Sequence, residues 1–143
     1  MVKHILVGFD GSDSSRRALR FAHDLAQQTG AKLTVLFVLE LPLLLPIGPM
    51  DSYLMTSPAT DAKELERVHK MLDEAVADLP KKDVEKRVEV GRAAQTLCDW
   101  GEKLAVDLIV VGARGLGAGG RWLLGSISDR VVHHAGRPVV VVH

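Results

Sequence analysis

Short apolar runs alternate along this chain with longer segments whose apolar positions recur at helical spacing. Ile5-Leu6-Val7-Gly8-Phe9 is nearly all apolar, the composition of a strand buried on both faces of a parallel sheet. Asp10-Gly11-Ser12 then reads as a turn, with Ser12 placed to cap a helix and Asp13 in its first turn. Ala18, Phe21, Ala22 and Leu25 form the apolar stripe of that helix, and Gly30 ends it. Leu33 to Leu39 is the second strand, so residues 5–39 make one strand–helix–strand unit.

Residues 40–59 break the rhythm. Leu41-Pro42-Leu43-Leu44-Leu45-Pro46-Ile47-Gly48-Pro49 is too rich in proline for a helix or a central strand. Its apolar character favours packing over the chain's own helices; a lid over a ligand or a partner contact is the alternative. A second helix follows, with Leu65, Val68, Leu72, Ala75 and Leu79 on one face and Pro80 as its stop. Lys81, Lys82, Glu85, Lys86 and Arg87 form a charged connection, and Val84 to Val90 alternates apolar with charged residues. That alternation predicts an edge strand with one face in water. Ala94, Leu97, Cys98, Gly101, Leu104 and Ala105 outline a third helix, and Leu108 to Val111 is a fourth strand. A fourth helix opens near Gly125-Ser126, with Ile127, Val131 and Ala135 on its apolar face. Gly136-Arg137-Pro138 ends it by a left-handed glycine followed by proline, and Val139 to Val142 is the fifth strand.

The expected fold class is α/β: a doubly wound five-stranded parallel sheet in the order 3-2-1-4-5, with helices on both faces. The third strand then sits at an edge, as its alternation requires. The first and fourth strands lie side by side where the winding reverses, and ligands bind in the crevice at the carboxyl ends of such strands. One lip would be Gly8-Phe9-Asp10 and the other the loop that starts at Gly112.

That loop carries the chemistry. The window Gly112 to Leu124 holds five glycines, Gly112 included, more than a connection needs. Strand, glycine loop and helix start together form an anion site, because the amides at a helix N-terminus are free and its dipole end is positive. Ser126 is the expected N-cap and can also donate its hydroxyl to a phosphate oxygen. A Walker A loop is excluded, since no lysine precedes Ser126. Gly115-x-Gly117-x-x-Gly120 matches the dinucleotide string, but in the last strand–helix unit and without an acidic residue about twenty positions on.

Length and charge narrow the class. The 143 residues suit one domain spanning 1–143. Zero formal net charge gives no reason to expect nucleic acid or an anionic membrane. A single cysteine, Cys98, excludes an intramolecular disulfide, and no Cys/His cluster has zinc spacing. Without a signal peptide or an apolar run long enough for a membrane span, the expected location is the cytoplasm. Cys98 reads as inert core, and His133-His134 as a solvated pair near a helix C-terminus. Arg114 and Arg121 either pair with phosphates or stay solvated, with Arg114 preferred because it lies inside a glycine pair. Trp122 either shields the phosphates or packs on the sheet end.

Gly112-x-x-Gly115, nine residues, then Gly125-Ser126 resembles the ATP-binding signature of the universal stress protein family. Asp10-Gly11-Ser12, Phe37-Val38-Leu39 and Arg137-Pro138-Val139-Val140-Val141 share the likeness, which covers nearly the whole chain. The resemblance implies ATP, with magnesium, as the cofactor. It implies that the Val38 backbone meets the adenine edge, and that Asp10 takes a ribose hydroxyl or the metal. Val111 and Gly112 would lie against the nucleoside. Gly115, Gly125, Ser126, Ile127 and Ser128 would hold the phosphates, with Arg114 beside them. Two bland alternatives stay open: Asp10 as a capping neighbour of the first helix, and Ser128 as an ordinary first-turn serine.

Four valines on an edge strand, Val139 to Val142, leave backbone and apolar side chains to be covered. Pairing with the same strand of a second copy covers them with two-fold symmetry, the homodimer that the resemblance also implies. The expected function is an ATP-dependent regulatory protein of the stress response, its loaded state read by a downstream protein partner. The alternative is a slow magnesium-dependent ATPase or phosphotransferase at the same site. No P-loop lysine and no base marked by spacing is present, so hydrolysis should be slow.

Overall fold

A computed structural model describes residues 1–40, 62–80, 84–114 and 124–143. The proline-rich segment, Gly115, Arg121 and Trp122 lie outside the described residues. Five strands, β1 (His4–Gly8), β2 (Lys32–Leu39), β3 (Val84–Val90), β4 (Leu108–Gly112) and β5 (Val139–Val142), form one sheet. All neighbours are parallel and the order is β3-β2-β1-β4-β5, as expected. Helices α1 (Asp13–Thr29), α2 (Ala62–Val76), α3 (Ala93–Lys103) and α4 (Ser126–His134) cover it.

The period-two geometry of the strands divides the core into two layers. On one side, Ile5, Val7, Leu33 and Val35 pack against Ala18 and Ala22 of α1 and Val68 and Leu72 of α2. On the other, Leu6, Leu36, Ile109 and Val111 pack against Leu97 and Cys98 of α3 and Val131 of α4. The three middle strands are apolar on both faces because both faces are roofed by helices. Cys98 lies in that second layer, where burial, then Asp99 and Glu102, hold its thiol above the ordinary range. It is core, as expected, and its thiolate is disfavoured.

Several local expectations need correction. Leu65 is exposed, and α2 ends at Val76, ahead of Pro80. The charged face of β3 is not simply wet: the Arg87 guanidinium lies 4.4 Å from the centre of the Trp100 ring of α3. Gly136 does not adopt a left-handed conformation, and α4 ends on Ala135 in an extended one. A side chain at Gly136 would instead meet the Glu102 carboxylate, which pairs with Arg137 at 3.1 Å. Among the described residues the non-glycine with a left-handed backbone is Ala105, exposed at the end of α3 with φ 48°. There the Val106 N–H donates to the Gly101 carbonyl at 3.0 Å and closes the helix.

Candidate functional site

The carboxyl ends of β1 and β4 part where the connections run to opposite faces. Between them opens a cleft lined by residues of β1, β2, β4, α3 and the start of α4. Its β1 lip is built by a short chain of local bonds. Gly11 takes φ +84°, which turns the backbone after Asp10. The Asp10 carboxylate then accepts the Ser12 N–H at 2.9 Å, and the Ser12 hydroxyl accepts the Ser15 N–H at 3.1 Å. Ser15 returns its own hydroxyl proton to the Ser12 carbonyl at 2.9 Å. One carboxylate oxygen of Asp10 therefore supports the turn into α1, the capping role that one sequence reading gave it, and the residue lines the cleft.

The β4 lip is set by close packing on α1. A side chain on Gly112 would lie 2.7 Å from the Ser14 backbone carbon, so strand and helix can approach this closely only with glycine here. The Ser14 hydroxyl accepts the Arg114 N–H at 3.2 Å and fixes the first residue of the glycine loop. The chain returns to the sheet at Gly125, whose N–H donates to the Ala113 carbonyl at 2.6 Å.

That return moves the helix cap. Gly125, not Ser126, is the N-cap of α4: its backbone is extended and it offers no capping side chain. The cause is the Ala113 carbonyl, which captures the Gly125 amide and leaves Ser126 as the first helical residue. The first helical bond runs from the Asp129 N–H to the Gly125 carbonyl at 2.9 Å. The amides of Ser126, Ile127 and Ser128 thus precede any helical acceptor, at the positive end of the helix. Ser128 is buried, and its hydroxyl donates to the carbonyls of Ala113 and Gly125, each at 2.9 Å. Its side chain stitches the loop shut; its amide is what remains for a ligand.

Of the residues expected at the site, Asp10, Val38, Val111, Gly112, Arg114, Ile127 and Ser128 all line the cleft. Gly125 and Ser126 stand beside it at the start of α4, outside the lining itself. Gly115 lies outside the described residues. The lining also contains Gly8, Phe9, Ser15 and Leu36, and, from α3, Ala93 and Leu97. Ala93 and Leu97 are spaced four apart, so they share a helix face. In the sequence that spacing signals only core, and Leu97 serves as core and cleft wall at once. Among the described residues no group of three or more His, Cys, Asp or Glu could hold a metal ion.

The family model described as the universal stress protein family matches residues 1–143, the whole chain. The chain belongs to the universal stress protein family. It is 38% identical to a universal stress protein of Thermus aquaticus over 146 residues, covering 99% of each. In structure it is similar to the universal stress protein UspA of Lactobacillus plantarum, with a TM-score of 0.76 and 26% identity over 99% of this chain and 98% of that one. A universal stress protein solved in complex with cAMP superimposes with a TM-score of 0.69 at 29% identity, over 99% of this chain and 97% of that one. No helix among the described residues is long and apolar enough to cross a membrane.

Proposed function

We propose that this universal stress protein binds an adenine nucleotide in the cleft between β1 and β4, with magnesium-bound ATP as its loaded form. The observation that carries the reading is the uncapped start of α4. Three consecutive amides there have no helical acceptor, beside a cleft whose far wall, Leu36, Val38, Ala93 and Leu97, is apolar. One end suits phosphate and the other a base, the two halves of a nucleotide. The relative solved with cAMP supports an adenine nucleotide as the class of ligand.

The roles follow from the polarity of the cleft. The Ser126, Ile127 and Ser128 amides hold phosphate oxygens, and Arg114 pairs with them as a cation. Gly125 contributes through its missing side chain, since its own amide is already bonded. Val111 and Gly112 lie under the sugar, and the free carboxylate oxygen of Asp10 takes a ribose hydroxyl or the magnesium. Val38, at the far side of β1, meets the adenine edge through its backbone.

Nucleotide loading regulates a homodimer in this reading. The support is β5, which ends the sheet order and whose four valines are each only half-buried. A second β5 pairing there covers edge and side chains together. Calorimetric titration with Mg-ATP tests the binding and sedimentation the assembly. One ATP per chain is expected; absence of binding up to millimolar ATP overturns the reading.

A further inference from the structure

Three helices begin at the rim of the cleft, and they are capped differently. The start of α1 is closed by Ser12, whose hydroxyl accepts the Ser15 N–H. The start of α4 has no capping side chain among the described residues. The start of α3 has Arg92 at the N-cap with an extended backbone, φ −89° and ψ 122°, and no capping side-chain bond of its own. Arginine carries no acceptor, so it cannot serve the first amide. The acceptor comes from far along the chain: the Glu40 carboxylate receives the Ala93 N–H at 3.2 Å, across 53 positions.

Glu40 directly follows β2, the strand that carries Val38, while Ala93 opens the helix that carries Leu97. The contact joins the two walls of the apolar half of the cleft. It extends the strand pairing by one step, because the Gly91 N–H donates to the Leu39 carbonyl at 2.9 Å just before it. A carboxylate is also the charge that a helix N-terminus favours, and its presence at α3 leaves α4 as the uncapped start.

We propose that Glu40 is the positioning residue for the base end of the cleft, fixing the start of α3 against the end of β2. The inference rests on the adenine-nucleotide reading above. Glu40 acts through Ala93 and Leu97, so its effect falls on the nucleoside and not on the phosphates.

Calorimetric dissociation constants for adenosine and for Mg-ATP, on the parent, Glu40→Gln and Glu40→Ala, test it. In Glu40→Ala binding of the nucleoside must itself order the start of α3, so both constants should rise by the same factor, about fivefold, the ratio that corresponds to the ordering otherwise supplied by one helix cap. The adenosine-to-ATP ratio should stay at its parent value. Glu40→Gln keeps an oxygen that can accept the Ala93 N–H, and should bind both within about twofold of the parent. General loss of stability does not imitate this pattern, because a chain that remains folded keeps its affinity; circular dichroism verifies the folding. Unchanged adenosine affinity in Glu40→Ala, or a change confined to ATP, overturns the role of Glu40 while the nucleotide reading stands. Absence of binding by the parent overturns both.

Discussion

Replacing Gly112 with alanine tests how the β4 lip is built. The glycine is not needed for a left-handed backbone, since its φ is not positive. Its necessity is steric: the added carbon would lie 2.5 Å from Ser14 Oγ and 2.7 and 2.8 Å from the Ser14 backbone carbon and oxygen. Ordinary contact begins at 3.4 Å, so the backbone of α1 must retreat by 3.4 − 2.7 = 0.7 Å. Forcing a methyl group into close packing costs roughly 1–3 kcal/mol. Weakening the bond from the Arg114 amide to Ser14 adds about 1 kcal/mol. Losing the flexibility of glycine in the unfolded chain returns about 0.5–1 kcal/mol. The net expectation is destabilisation by about 1–3 kcal/mol. With a urea slope of about 2 kcal/mol per molar, the midpoint should fall by about 0.5–1.5 M at unchanged slope. Adding Ser14→Gly should rescue only part of the loss, because backbone atoms of residue 14 remain in the way. A midpoint within about 0.2 M of the parent, or complete rescue by Ser14→Gly, would refute the steric reasoning.

Ala105→Gly should stabilise the protein, because alanine at φ 48° carries a penalty of roughly 1–2 kcal/mol that glycine avoids, of which glycine's greater freedom in the unfolded chain takes back about 0.5–1 kcal/mol; the melting temperature should rise by about 2 °C, and a fall would contradict this. Ser128→Ala removes the donor to the Ala113 and Gly125 carbonyls and should cost about 1–2 kcal/mol in chemical denaturation; unchanged stability would show that the stitch is dispensable. Burial first, and then Lys32, hold His4 below the ordinary histidine range, where its ring bonds Thr34 at 2.8 Å. A depressed folded pKa means stability present above the unfolded value near 6.5 and lost as pH falls below it; the decline should be shallower in His4→Gln, and equal pH profiles would contradict the assignment.

The strand order was legible because β1, β2 and β4 are apolar on both faces while Val84 to Val90 alternates, and only one doubly wound order puts that segment at an edge. Helix ends set by neighbouring residues were legible too, as at Ser12 and Gly30. What local patterns missed depends on distant atoms. The α4 cap sits one residue early because the Ala113 carbonyl captures the Gly125 amide. Gly112 reads as a ligand-facing glycine, yet the atoms that demand it belong to Ser14 of α1. Glycine as the usual left-handed residue points rightly to Gly30 but wrongly to Gly136, and a non-glycine, Ala105, takes that conformation after α3. Glu40 gives no local sign that it caps a helix starting at Ala93. The strand order was enough to put Asp10 at this cleft, whereas Val38 and Ser128 were expected there only through the family resemblance.

The central claim is that the free amides at the start of α4 hold phosphate, and Ser126→Pro tests it with little disturbance of the fold. Proline is well tolerated at the first helical position, and Gly125 before it already has φ −63° and ψ 155°, the conformation a following proline requires. The substitution deletes one amide hydrogen, and Ser126→Ala controls for the hydroxyl. Removing a hydrogen bond to a charged group costs about 1.5–3 kcal/mol. Ser126→Pro should therefore bind Mg-ATP about 10- to 100-fold more weakly than Ser126→Ala, with adenosine affinity and melting temperature nearly equal in the two. Equal ATP affinity in two folded variants would contradict the account.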